Sequence, residues 1–154
     1  MKNAIARFIS TRDDIGVFVA RLALSIVFIP HGAGKLLGLF GGSGFSATME
    51  YFIKSGMPAT VAFLIIMGES LGSMALLVGF FGRFMAFGIG MIMMGAIFLV
   101  HSQYGFFMNW FGNQKGEGFE YHLLALGLAL LLMIRGSGKF SLDMPLHKFL
   151  TKKD

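Results

Sequence analysis

The stretch Pro58–Phe81 reads PATVAFLIIMGESLGSMALLVGFF, and from Thr60 to Phe81 its sole charged residue is Glu69. About 20 apolar residues cross a bilayer as a helix, so this run is expected to span one. A carboxylate at mid-bilayer depth costs at least a few kcal/mol unless it is paired, protonated or turned toward a polar interior. Something else in the chain must compensate Glu69. The residues with suitable chemistry in or beside other apolar runs are Arg21, His31, Lys35, His101, Glu120 and His122.

The rest of the composition agrees with a membrane protein. Only 14% of the 154 residues are charged, against roughly 25% in soluble domains. The chain holds eighteen Phe, twelve Met and twenty-two Gly, and Gly lets helices approach closely in lipid. Its net charge of +5 comes from basic residues at the ends of apolar runs. That placement suits anionic headgroups and the topology signal rather than nucleic acid, which is excluded as a partner. The chain has no cysteine, which excludes a disulfide framework, a thiol redox centre and a cysteine-held iron–sulfur cluster.

Four segments are expected to be spanning helices, at about 15–37, 58–81, 84–100 and 119–134. The expected fold is all-α, a four-transmembrane-helix bundle over residues 15–143. A basic amphipathic leader (1–14) precedes it and a basic cytoplasmic tail (144–154) follows. The first span contains Arg21, Pro30, His31 and Lys35, and Pro30 predicts a kink. It starts late and lacks a small-residue cleavage site, so it reads as a retained helix rather than a signal peptide. Thr48–Lys54 is expected to form a short interfacial helix, ended by Gly56 and Pro58. The short connection at Gly82–Arg83 predicts an antiparallel hairpin. The loop 102–118, with Tyr104, Phe106, Phe107, Trp110 and Phe111, suits a membrane–water interface.

Lys and Arg residues set the orientation. The leader, the Gly82–Arg83 turn and the tail (Arg135, Lys139, Lys148, Lys152, Lys153) hold nine, whereas the other side holds Lys35, Lys54 and Lys115. By the positive-inside rule both termini are cytoplasmic, in the plasma membrane. At about 1.5 Å per residue, Glu69 lies roughly 14 Å below the outer end of its span and Arg21 roughly 9 Å above the inner end of its own. Arg21 is therefore the expected partner of Glu69, either within a functional site or as a purely structural pair that fixes helix register.

His31 and Lys35 are four residues apart and share a helix face near the outer surface. His101 ends the third span, and Glu120 and His122 open the fourth. Singly, Lys35, His101 and Glu120 read as interfacial groups reaching for water, and His31 and His122 as capping or loop-bonding histidines. Their convergence from separate helices marks a candidate intramembrane polar site of Arg21, His31, Lys35, Glu69, Glu120 and His122, with His101 the weaker member. No metal is expected, because no close-spaced ligand motif is present and Glu120 and His122 point different ways on a helix. Gly136-Ser137-Gly138-Lys139 lacks the spacing and the strand–helix context of a phosphate-cradling loop, and reads as a helix stop.

At these residues the sequence resembles the DoxX family of bacterial and archaeal membrane proteins. The matching elements are Arg21, Pro30-His31-Gly32 with Lys35-Leu36, Gly56-x-Pro58, Glu69 with Gly72, and Gly79–Arg83. Glu120-Tyr121 and Gly136-Ser137-Gly138-Lys139-Phe140-Ser141-Leu142-Asp143 complete the set. The order and spacing of these elements over residues 15–143 carry the resemblance; no one of them is specific alone. It implies a four-helix bundle in the plasma membrane, and a link to redox complexes, since the family takes its name from a subunit of an archaeal thiosulfate:quinone oxidoreductase. Arg21, Glu69 and Glu120 carry over as polar residues of the family pattern, with no catalytic role attached. Without cysteine, this chain has no thiol mechanism.

Three functions are expected, in order. The first is a quinone-interacting subunit of a membrane oxidoreductase, with quinone as its ligand and a soluble oxidoreductase as partner. His31, His122 and Arg21 would donate hydrogen bonds, and Glu69 and Glu120 would relay protons. The second is a non-catalytic subunit that anchors a soluble partner or holds a lipid. The third is a small-molecule transporter, which four short helices would form only as a homo-oligomer.

Overall fold

The computed structural model describes residues 2–152, with backbone alone for Lys2 and Asn3. The side chain of Lys2 and the tail residues Lys153 and Asp154, counted above, lie outside the described residues, as does Met1. Among the described residues there are seven helices and no strand: α1 (Lys2–Phe8), α2 (Ile15–Leu37), α3 (Gly44–Lys54), α4 (Ala59–Leu77), α5 (Gly82–Tyr104), α6 (Glu120–Arg135) and α7 (Asp143–Thr151). Helices α2, α4 and α5 are each long and apolar enough to cross a membrane. Helix α6 has 16 residues, about 24 Å of helix, and is shorter than these three.

Helix α2 forms the spine. Asp14 caps it, accepting from the N–H groups of Gly16 at 2.9 Å and Val17 at 3.2 Å. The Val17 N–H, with help from Gly16 and Arg135, holds the Asp14 carboxyl below its ordinary 3.8 against the opposing pull of burial. Its stabilising contribution is therefore complete above pH 3.8 and is lost as pH falls through the lowered value. Gly38, in the left-handed region at φ 74°, ends the helix as a glycine cap does. Seven of its eight buried residues, Val17, Ala20, Arg21, Leu24, Ser25, Phe28 and Gly32, follow the three- and four-residue spacing of one helix face, and the eighth, Gly34, meets the loop at Gly42.

That face packs on α4 and α6, and α5 closes the bundle by packing against α4 and along α6. Leu24 and Phe28 of α2, Leu76 of α4, Ile89 and Met93 of α5 and Leu132 of α6 meet in the core. The outer faces stay apolar, with Phe98, Leu99 and Leu124 each at least 70% exposed. A soluble bundle puts charge on such faces; this one contacts lipid. The short helix α3 begins at Gly44 rather than Thr48, and rests on α2 and α4 at one end of the bundle. At the opposite end α1 packs on α7, where the His147 ring meets the Ala6 carbonyl at 2.9 Å.

At that end the chain Gly136–Asp143 wraps the α4–α5 turn. Asp143 is 1% exposed and accepts from Phe81 N at 2.8 Å, Gly82 N at 3.0 Å and Ser137 Oγ at 2.5 Å. A buried carboxylate aimed at the first N–H groups of α5 answers the positive end of its dipole. It also holds Phe81 at φ 49°, a left-handed conformation costing about 1–2 kcal/mol for a side-chain-bearing residue. The segment expected only to stop a helix is thus a clasp built on Asp143.

Candidate functional site

The expected Arg21–Glu69 pair does not form. Arg21, fully buried, spends all five N–H donors on carbonyls. Nε bonds Ser137 O at 2.7 Å, Nη1 bonds Leu76 O at 3.0 Å and also Leu77 O, and Nη2 bonds Lys139 O and Phe140 O, each at 3.0 Å. Its guanidinium also lies 5.2 Å from the Phe18 ring centre. Leu76 and Leu77 lie seven and eight residues beyond Glu69, roughly 10–12 Å further along α4. The reason is directional: side chains on a helix lean toward its N-terminus. Arg21 leans toward the start of α2, away from Glu69. Lys35, on the same helix but past Glu69, leans back toward it, while Glu69 on the antiparallel α4 leans to meet Lys35.

Lys35 Nζ donates to Glu69 Oε2, with the Lys35 side chain 27% exposed and that of Glu69 6%. Lys35, named among the candidates for compensating Glu69, is therefore its actual partner. The backbone around Glu69 is special. Residues Gly68–Gly72 form a π-helical turn inside α4, a wider turn common at functional sites. Serines satisfy the loosened carbonyls: Ser70 Oγ donates to Ile66 O at 2.5 Å, and Ser73 Oγ to Glu69 O at 2.6 Å and Ser70 O at 2.9 Å. Gly32 lets α2 touch this turn directly, since a Cβ there would sit 2.1 Å from Glu69 O.

A second π-helical turn, Ile97–His101 in α5, carries His101. Its ring centre lies 4.1 Å from that of His122, and its Nδ1 meets Glu117 O at 2.8 Å. Because a carbonyl only accepts, Nδ1 of His101 carries a proton. His122 is 5% exposed, and both its Nδ1 and the neighbouring Tyr121 Oη are buried with no hydrogen-bond partner. His31 and His101 lie within electrostatic reach of His122, and Glu69 within reach of Tyr121. His31 itself is exposed.

His31 and Lys35 also line a cleft of about 410 Å³ between α2, the loop 39–43 and α3, whose far wall includes Thr48, Tyr51 and Phe52. The cleft therefore reaches Lys35 of the ion pair and His31, whereas Glu69, His101, Tyr121 and His122 lie behind its walls. Glu120 plays a different part. Its Oε1 accepts from Met108 N at 2.8 Å and Trp110 Nε1 at 3.0 Å, clamping the aromatic loop.

The structure thus gathers Lys35, Glu69, His31, His101 and His122 into one region, and sets Arg21 and Glu120 apart from it. Sequence reasoning missed Tyr121, although the apolar run behind Glu120-Tyr121-His122 signals that a residue there turns inward. Among the described residues, no group of three His, Asp or Glu is placed to hold a metal ion.

The chain is similar to known membrane proteins. The DoxX family model matches residues 16–102. "Inner membrane protein YqjF" of Escherichia coli (strain K12) is 35% identical over 137 residues, 88% of this chain and 95% of the relative. "Putative oxidoreductase CatD" of Bacillus subtilis (strain 168) is 28% identical, covering 84% of this chain and 86% of the relative. "Inner membrane protein YphA" of Escherichia coli is 27% identical, covering 82% and 87%. No solved structure matches the chain. On the family match and the first of these relatives, the chain belongs to the DoxX family of membrane proteins.

Proposed function

We propose that this protein is the quinone-interacting membrane subunit of an oxidoreductase system, its headgroup site lying where the cleft meets Lys35 and Glu69. The observation that carries this reading is the pair of buried polar atoms without partners, Tyr121 Oη and His122 Nδ1, with Glu69 of the partly buried ion pair within electrostatic reach of Tyr121. A native interior leaves few such groups unsatisfied, and each costs about 1–3 kcal/mol unless a ligand or water meets it. A quinone supplies two carbonyl oxygens that accept hydrogen bonds and, when reduced, two protons to exchange. Tyr121 Oη and Lys35 Nζ donate to such oxygens. His122 and His101 hand protons toward the outer loop, and Glu69 holds the charge of Lys35 in place. Electrons come from a partner protein, consistent with the name of the Bacillus subtilis relative.

Tyr121→Phe removes one hydroxyl that makes no bond within the protein. It is expected to weaken binding of a short-chain quinone to the purified protein by about five- to tenfold, the worth of one hydrogen bond. The melting temperature in detergent should stay unchanged, because no internal contact is lost. Absence of quinone binding by the unmodified protein, or equal binding by the variant, would count against the site.

The same proposal takes α2, α4, α5 and α6 as four spans of one domain, residues 15–143, in the plasma membrane with both termini cytoplasmic. The leader and tail then lie at the cytoplasmic surface. Cysteine substitution tests this cleanly, because the chain has no cysteine of its own. An impermeant maleimide added outside cells is expected to label Asn113→Cys in the 105–118 loop and to leave Lys148→Cys in α7 unlabelled until the membrane is opened. Labelling of both from outside would refute the four-span arrangement.

The clamped outer loop favours a second, non-catalytic reading, in which the bundle docks a partner. Glu120 and Glu117 fix its backbone while Trp110 and Phe111 stand 78% and 91% exposed.

A further inference from the structure

We propose that the hollow between α1 and the first turn of α5 binds the phosphate of an anionic phospholipid. The hollow measures about 550 Å³ and is lined by Ala4, Arg7, Phe8 and Arg83. It lies at the end of the bundle opposite the cleft, and the chemistry of its walls identifies the ligand.

Arg83 ties three elements together. Nη1 donates to Met133 O at 2.5 Å and Ile134 O at 2.7 Å, and Nη2 to Ser10 O at 2.9 Å. Those partners are carbonyl dipoles, which orient the guanidinium without neutralising it, and Nε is enclosed with no partner at all. Among the described residues, no carboxylate lies within 4.0 Å of Arg83 or of Arg7. Two cations thus share one hollow with no counter-charge. By contrast, Arg135 and Lys139 at the same end pair with Asp14 and Asp13. Repulsion between the two arginines is relieved by an anion, and phosphate matches the geometry of guanidinium donors.

The apolar surroundings choose among phosphates. Ile5 and Phe8 of α1 stand 40% and 44% exposed beside Arg7, and Phe84, next in chain to Arg83, is 57% exposed. A free anion makes no use of these side chains, whereas a phospholipid lays its acyl chains along them. An amphipathic basic helix with exposed apolar residues is also the form that lies in a headgroup layer. In the proposed topology this end faces the cytoplasmic leaflet, which is rich in anionic lipid.

Delipidated protein in detergent, titrated with dioleoylphosphatidylglycerol, dioleoylphosphatidylcholine or inorganic phosphate and read by native mass spectrometry, tests the site. Arg83 holds the fold together, so the variant is Arg7→Gln, whose side chain is exposed. Phosphatidylglycerol should bind more tightly than phosphatidylcholine, and Arg7→Gln should weaken it about fivefold, the worth of one basic side chain at an anionic surface. Lys54→Gln at the other end of the bundle should leave that affinity unchanged. Equal binding of the two lipids, or an Arg7→Gln protein that binds as the parent does, would overturn the proposal. Millimolar inorganic phosphate displacing the lipid would also overturn it, by showing a free-anion site.

Discussion

Arg21→Met is expected to lower the stability of the folded protein by about 4 kcal/mol, within the 3–5 kcal/mol range for stripping one partner from a buried charged network. Met fits the space, so the loss is one of bonding rather than volume. Five carbonyls on two segments lose their donor: Leu76 and Leu77 at the end of α4, and Ser137, Lys139 and Phe140 in the clasp. The end of α4 also loses a cation at the negative end of its dipole. Thermal unfolding in detergent should show a fall of many degrees, and the clasp should become open to proteolysis before the rest. Arg21→Lys should recover less than half of the loss, because an ammonium has three donors on a single point and cannot reach both segments. A melting temperature within about 2 °C of the parent's would show that the guanidinium is not what joins the clasp to the bundle.

Gly32→Ala is the second large effect expected, and it acts by volume alone. The added methyl would lie 2.1 Å from Glu69 O, 2.4 Å from Glu69 C and 2.5 Å from Ser70 Cα. These are backbone atoms of the π-helical turn and have no rotamer by which to yield. Helices α2 and α4 must therefore part, or the turn must rewind to an ordinary α-helix and rotate Glu69 away from Lys35. Overpacking of this kind costs about 1–3 kcal/mol, and more against a rigid neighbour. Quinone binding should fall further than stability does, because the ion pair is the first contact to separate. Gly88→Ala is the control: its Cβ meets nothing within 4 Å, and neither stability nor binding should change. A Gly32→Ala protein that keeps the parent's melting temperature would mean that the two helices do not touch at this point.

What was legible in the sequence follows the strength of each physical signal. The first apolar run, Ile15–Leu37, has the bounds of α2 because Asp14 and Gly38 are local start and stop signals. The later runs begin and end within a few residues of α4, α5 and α6, although no N-cap side chain caps the start of these helices and their apolar length alone marks them. The identities of the polar residues at stake were also legible, since an ionisable group in an apolar run carries its own warning. Their partners were not. Depth along a helix is readable from residue number, but the lean of a side chain toward the helix N-terminus reverses the pairing that depth alone suggests. Hence Glu69 meets Lys35 and not Arg21.

Two further features were hidden for different reasons. The π-helical turns that carry Glu69 and His101 depend on tertiary contact at Gly32 and with Glu117 of the 105–118 loop, which no local pattern encodes. The clasp around Arg21 joins residues 116 to 119 positions apart in the chain, and a Gly-Ser-Gly-Lys stretch read locally is only a helix end. Tyr121 is legible only as part of the Glu120-Tyr121 element and not as a site residue, because its hydroxyl has meaning only as a buried atom without a partner.

The central claim is that a quinone headgroup reaches Lys35 and Glu69 through the cleft between α2 and α3. Photolabelling of the purified protein with a short-chain azidoquinone, followed by peptide mapping, tests it most directly. The account predicts labels within Pro30–Lys35 of α2 and Thr48–Phe52 of α3, suppressed by excess unlabelled quinone and much reduced in Gly32→Ala. Labels spread over the lipid-facing surface around Phe98 and Leu99, undiminished by competitor, would contradict it.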